Sequence, residues 1–173
     1  MDDAAQGVER LIATLETGTV DERVGAVQSM PIWHDETRRM ASEALIEVLQ
    51  RDSAPEVRAL AAERLGLSEE PRAVGLLLAA LADPDVRVRR GASHGLHILA
   101  SVHLVGDKQA VDQLHDAAND PDLLIRYHAV SAFGYLEDDC VADTLFAAFA
   151  ADNVHLCQQA VQALGLGSTP TRS

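Results

Sequence analysis

Residues 52–66 read Asp52-Ser-Ala-Pro-Glu-Val-Arg58-Ala-Leu-Ala61-Ala-Glu-Arg-Leu65-Gly66. The skeleton Asp-x5-Arg-x2-Ala-x3-Leu/Phe, often closed by Gly, returns as Asp83…Arg89…Ala92…Leu96 and as Asp120…Arg126…Ala129…Phe133-Gly134. A worn copy, Asp152…Ala160…Leu164-Gly165, is one residue shorter and carries Cys157 at the Arg place. An earlier one, Thr17…Arg23…Ala26…Met30, lacks both Asp and Gly. The aspartates recur at spacings of 31, 37 and 32 residues. Such periods mean stacked supersecondary units rather than a closed globule.

Between the motifs lie stretches with apolar residues at i, i+3, i+4 and i+7, the helical period. They cover approximately Val8–Glu16, Glu36–Gln50, Pro71–Leu81, Lys108–Ala118 and Asp138–Ala150. Each leads through a short break into a motif helix, and the breaks carry Asp83-Pro84, Asp120-Pro121 or Asp52…Pro55. Asp is a good N-cap and Pro is tolerated in the first turn, so these are predicted helix starts. Gly66, Gly134 and Gly165 stand where a helix is expected to end in a left-handed residue. The pattern predicts five A helices alternating with five B helices and no strands, an all-α chain with repeats near 8–31, 36–66, 71–104, 108–134 and 138–165. Together they make one domain over 1–167, followed by a short tail, 168–173. On a B helix, Val57, Ala61 and Leu65 fall within about 80° of one another and form the predicted buried stripe. Val88/Ala92/Leu96 and Ile125/Ala129/Phe133 are its equivalents.

DSAPEVRALAAERLG, DPDVRVRRGASHGL and DPDLLIRYHAVSAFG resemble HEAT repeats, in the short form also found in phycobilisome lyases. The resemblance covers roughly residues 17 to 165. It implies a right-handed α-solenoid (an α-α superhelix, armadillo-like) with A helices outside and B helices lining a concave groove. It also implies a structural ladder in which Asp52, Asp83 and Asp120 pair with Arg58, Arg89 and Arg126 between or within repeats.

Composition bounds the function. Hydrophobic residues make up 47% of the 173 residues and aromatics only 3%, which suits thin, closely packed helices. Net charge is −13, from 14 basic and 27 acidic residues, and this opposes a phosphate backbone as partner. No apolar run approaches the roughly 18 residues that span a bilayer. The amino-terminal residues lack the features of a secretory signal, so a cytoplasmic location is expected. Cys140 and Cys157 are predicted near the starts of two antiparallel helices, too far apart for a disulfide, and are expected as free thiols.

Positions opposite the buried stripe are expected to line the groove: Val24/Gln28, Ala59/Glu63, Arg90/His94, Tyr127/Ser131 and Gln158/Gln162. Arg90, His94 and His97 fall at i, i+4 and i+7 on one helix, with Tyr127 one repeat along. A cation, two imidazoles and a phenol converging there could bind a carboxylate or phosphate, or move a proton near neutral pH. The alternative is that they are solvated surface residues. Gly91 and Gly95 each cost about 1 kcal/mol of helix propensity against Ala. They call for either a close ligand or a close neighbouring helix. His97 replaces the closing Gly of the motif, and ILASVHLVGD (98–107) is expected as extra helix or an inserted elbow.

A metal would need more than His94 and His97, with Glu63 or His128 as further donors. Deoxyhypusine hydroxylase, a HEAT-repeat iron enzyme, uses His-Glu dipeptides, but here His94-Gly95, His97-Ile98 and His128-Ala129 break that pattern. Neither a metal nor another cofactor is expected. Trp33, in the turn Pro31-Ile32-Trp33-His34-Asp35, is expected to pack between the first two repeats, or else to be an exposed anchor. Glu137, Asp138, Asp139, Asp143 and Asp152 make an acidic C-terminal end that could receive a basic partner.

The reading that follows is a non-enzymatic module that binds a protein or peptide through its groove or acidic end, with no nucleic acid and no membrane. The alternative is a small metal-independent lyase, isomerase or cyclase. There Arg90 would hold a small anionic ligand, His94 or Tyr127 would be acid or base, and Glu63 and Ser131 would complete the site.

Overall fold

The structure, a computed structural model, describes residues 2–102, 104–105 and 108–136. The fifth predicted helix pair, both cysteines, Gly165 and the tail lie outside the described residues. Eight α-helices and no strand occur among the described residues: α1 Asp2–Thr17, α2 Val20–Ser29, α3 Asp35–Arg51, α4 Pro55–Leu67, α5 Ala73–Ala80, α6 Val86–Ser101, α7 Lys108–Ala117 and α8 Leu123–Phe133. Odd-numbered helices pack on odd-numbered ones along the chain (α1 on α3, α3 on α5, α5 on α7). The even-numbered helices stack likewise, α2 on α4, α4 on α6 and α6 on α8. The result is an α-solenoid of two helical layers, in which each pair touches chiefly its neighbours.

The stripe residues Val57/Ala61/Leu65, Val88/Ala92/Leu96 and Ile125/Ala129/Phe133 are all buried. The core also takes Leu45, Leu77, Leu99 and Leu114. Small residues let the even-numbered helices approach backbone to backbone. A Cβ added to Gly66 would lie 2.3 Å from the Cα of Gly95, and one added to Gly91 would lie 2.3 Å from the carbonyl oxygen of Ala59. One added to Gly95 would meet the Ala62 carbonyl oxygen at 2.9 Å. These glycines are contact points between α4 and α6. Gly66 is therefore not a left-handed helix end: α4 continues to Leu67, and the left-handed residue is Glu69, at φ 52°. Gly134 also caps its helix in a right-handed conformation, φ −62°.

The motif aspartates sit two residues before the helix caps rather than at them. Asp83 and Asp120 each accept the backbone N–H two residues on, from Asp85 and Asp122, at 2.8 Å. Asp85 and Asp122 are the N-caps of α6 and α8. Asp52 does the same to Ala54, the cap of α4, where Pro55 holds the first position. The first repeat, which lacks the motif Asp, starts α2 with a capping box between Thr19 and Glu22.

Among the described residues, the motif arginines Arg23, Arg58 and Arg89 reach forward to the next repeat's aspartate. Arg23 forks onto Asp52 at 2.8 and 2.9 Å, Arg58 onto Asp83 at 3.1–3.3 Å, and Arg89 reaches Asp120 at 3.0 Å. The remaining Nη1 ties back to a loop carbonyl of its own repeat: Gly18, Asp52, Asp83, and for Arg126 Asp120. One guanidinium thus fixes its own loop and docks the following one, giving the stack its register.

Trp33 is exposed, at 66%, and is not packed between repeats. Met30 and Ile32 take the buried places on either side of Pro31, so the next residue in the turn faces solvent. ILASVHLVGD is helical as far as Ser101, making α6 five residues longer than α8 (16 against 11).

Candidate functional site

A shallow groove of about 440 Å³ opens on the layer of even-numbered helices, and its lining comes from four of them. Val24 is contributed by α2; Glu56, Ala59, Leu60 and Glu63 by α4; Arg87, Arg90, Gly91 and His94 by α6; and His128 by α8. Within it Gly91 lies backbone to backbone against Ala59 and adds no side chain to the lining. Leu60 and Val24 are half-buried apolar residues beside it.

The charges of the groove are mostly matched. Arg90 forks onto Asp122 at 2.6 and 3.0 Å. Asp122 meanwhile accepts the Leu124 and Ile125 backbone N–H groups as cap of α8. The Arg90 guanidinium, helped by those N–H groups, holds the Asp122 carboxyl below the usual carboxylate range. Arg87 pairs with Asp85 at 2.8 Å and with Glu56 at 3.4 Å. Hydrogen bonds from the Arg87 side chain and backbone lower Asp85 to about 2. Glu63 differs: its ion-pair neighbour is the His94 ring, at 3.6 Å, which is charged only when protonated. Arg64, next along the chain, donates instead to the Met30 carbonyl.

At one end of the groove three imidazoles stack across the α6–α8 contact. His94 and His128 ring centroids are 4.9 Å apart at an interplanar angle of 27°, and His97 and His128 are 6.1 Å apart at 18°. Tyr127 meets His128 edge-on at 5.6 Å, and Tyr135 tilts against His97 at 5.8 Å. Ser93 Oγ donates to the Arg90 carbonyl at 2.9 Å and lies 3.1 Å from His128 Nδ1. A hydroxyl has one proton to give. With it on the carbonyl, Nδ1 of His128 is the donor to Ser93. Burial, reinforced by the neighbouring His94 and His97, lowers His128 to about 4. Burial and His94 lower His97 as well. The imidazoles of His128 and His97 are therefore held neutral.

The description HEAT repeats matches residues 42–102 and again 96–165. The chain belongs to the HEAT-repeat family. No curated protein matches it in sequence. Its fold is shared by an engineered protein (TM-score 0.69, 17% identity, covering 91% of this chain and 77% of that one). It is also shared by the complex of CpcE and CpcF of phycocyanin lyase from Nostoc sp. PCC7120 (TM-score 0.65, 20% identity, 92% and 98%). A third is a designed armadillo repeat protein in complex with the peptide (KR)4 (TM-score 0.66, 19% identity, 90% and 79%).

Within this HEAT-repeat protein, Arg90, His94, His97 and Tyr127 do gather around the α6–α8 contact, but not as a free cation with two solvated bases. Arg90 is occupied by Asp122, so it is not waiting for an anion. Ser131 is buried and does not line the groove. His128 is at the centre of the stack although sequence periodicity placed it beside Tyr127 rather than on the groove face. One residue along a helix is about 100° around its axis, so periodicity alone gave His128 no place on the groove face; its ring reaches the imidazoles of α6 across the α6–α8 contact. No group of three or more His, Cys, Asp or Glu side chains suited to a metal occurs among the described residues. No described helix is long and apolar enough to cross a membrane. A second cleft, about 410 Å³, lies on the odd-numbered layer between α1 and α3, with Ile12, Leu15 and Met40 on its walls and Glu16, Glu43 and Glu47 at its rim.

Proposed function

We propose that this HEAT-repeat protein is a non-enzymatic scaffold that binds a protein or peptide segment along the groove of its even-numbered helices. The observation that carries this is the groove's construction: its lining comes from the four even-numbered helices of one stack. A stacked-repeat surface offers extended contact while each unit holds only its neighbours in place. The similar designed armadillo protein in complex with (KR)4, and the pairing of CpcE with CpcF, support a polypeptide as the kind of partner such a fold takes. The catalytic alternative loses its anion holder to the Arg90–Asp122 fork, and no observation favours it over the scaffold. The acidic residues Glu137, Asp138, Asp139, Asp143 and Asp152, outside the described residues, are the alternative surface for such a partner.

A photo-reactive amino acid placed at Val24, in the groove, and separately at Ala44, in the α1–α3 cleft, tests this in host cells. The groove position should crosslink to one or a few discrete polypeptides, and the cleft position should not. Equal labelling from both faces, or labelling from the cleft alone, would remove the groove from the proposal.

A further inference from the structure

The charge pairing in the groove carries a conclusion about its partner. Four carboxylates face it or border it: Glu56, Glu63, Asp85 and Asp122. The two guanidiniums there are both taken, Arg90 by Asp122 and Arg87 by Asp85 and Glu56. An incoming anion would have to displace a carboxylate already held at 2.6 Å. An incoming cation meets no guanidinium at Glu63, whose neighbour is the His94 imidazole at 3.6 Å. The space beside Glu63 also suits a long cationic side chain. Gly91 adds no side chain beside Ala59, and Leu60 and Val24 are apolar surfaces along which a methylene stem can lie with its charged end outward.

We infer that the groove takes a cationic segment of a protein partner, one lysine or arginine of which crosses the Ala59–Gly91 contact and meets the Glu63 carboxylate. This rests on reading the groove as a polypeptide site, and it reverses the charge expected from Arg90 in the sequence. The stacked rings of His94 and His128 border the slot on the α8 side.

The test uses the full chain and three fluorescent octapeptides of alternating Lys-Arg, alternating Glu-Asp and alternating Gly-Ser, with binding read by anisotropy at low and physiological salt. A chain of net charge −13 attracts any basic peptide, so the control is charge-matched. Glu63→Gln removes one charge in the groove, and Glu16→Gln removes one at the α1–α3 cleft. The Lys-Arg peptide should bind, Glu63→Gln should weaken it about fivefold, in keeping with an ion pair at a partly exposed carboxylate, and Glu16→Gln should leave it within error. Equal weakening by both variants overturns the inference in favour of general attraction. Preference for the Glu-Asp peptide overturns it while leaving the groove as a polypeptide site. If none of the three binds, the inference fails, and crosslinking from Val24 still decides separately whether the groove has a partner.

Discussion

Gly91 and Gly95 illustrate how a single residue type can carry two opposite readings. Helix propensity alone counts both as costs, and the structure accounts for them as the contact between α4 and α6. Gly91→Ala forces its new methyl onto the Ala59 carbonyl, which cannot swing away as a side chain can. Overpacking of this kind costs roughly 1–3 kcal/mol, set against about 1 kcal/mol of recovered helix propensity. The melting temperature of Gly91→Ala should fall, whereas Gly75→Ala, with nothing within 4 Å, should raise it. A Gly91→Ala protein as stable as the parent would mean that the backbones are not in contact. Trp33→Ala, at an exposed turn, should leave the melting temperature within about 2 °C, since surface changes usually stay within ±0.5 kcal/mol.

His128 carries a second residue-scale prediction. Its folded pKa, about 4, lies below the ordinary 6.5, so the unfolded chain binds the proton more readily. The stability it represents is complete above about pH 6.5 and is lost as pH falls toward 4. Because the ring is only half-buried and solvent screens it, about 1 kcal/mol of this is lost by pH 5. Urea midpoints measured between pH 7.5 and 5 should fall, and His128→Gln should flatten that slope. The titratable groups around the ring, His94 and His97 from α6 and Asp122 at the start of α8, are present in both proteins. An unchanged slope in His128→Gln would place the acid sensitivity elsewhere.

At the scale of the helix pair, the decisive device is the arginine that serves two loops. Arg58 donates to the carbonyl of Asp52 in its own loop and forks onto Asp83 in the next, with each side chain only 16% exposed. Hydrogen bonds to charged groups contribute about 1.5–3 kcal/mol, and removing one partner leaves the other charge half-buried and unmatched. Arg58→Ala should therefore destabilise the protein by about 2–3 kcal/mol. Its effect should be concentrated at the junction of the second and third pairs. Hydrogen exchange is the check: amides of α4 and α6 should lose more protection than those of α1. Uniform loss across all helices would mean that the ladder sets global stability and not repeat-to-repeat coupling.

At the scale of the molecule, the stack is a chain of nearest-neighbour contacts with no single centre. Its functional surface therefore comes from register: a groove built from four helices exists only if each pair is docked at the right height. Loss of the Arg58–Asp83 rung should weaken partner binding even though neither residue lines the groove. The check is the affinity of the Lys-Arg peptide for Arg58→Ala at a temperature where that protein remains folded. Affinity equal to the parent would mean that the groove is local to α4 and α6.

The architecture was legible in the sequence because a repeat writes the same local physics several times over. The spacing of Asp, Arg, Ala and Leu states a helix start, a buried stripe and a close-packed position in each copy, and the HEAT-repeat family match agrees. Much of the site was legible only as a list of residues. That Arg90, His94, His97 and Tyr127 lie near one another follows from helical period and repeat length. Whether Arg90 is a free cation depends on Asp122, thirty-two residues away, and the fork between them exists only once α6 and α8 are stacked. The same holds for His128 and for Gly66: one turns toward the imidazoles of the neighbouring helix, the other touches that helix's backbone. Periodicity determines which face of a helix is buried. The tertiary structure decides which charges are already matched, and so which sign of charge the groove has left to offer, because Arg90 and Asp122 stand outside the repeated motif and meet only across stacked helices.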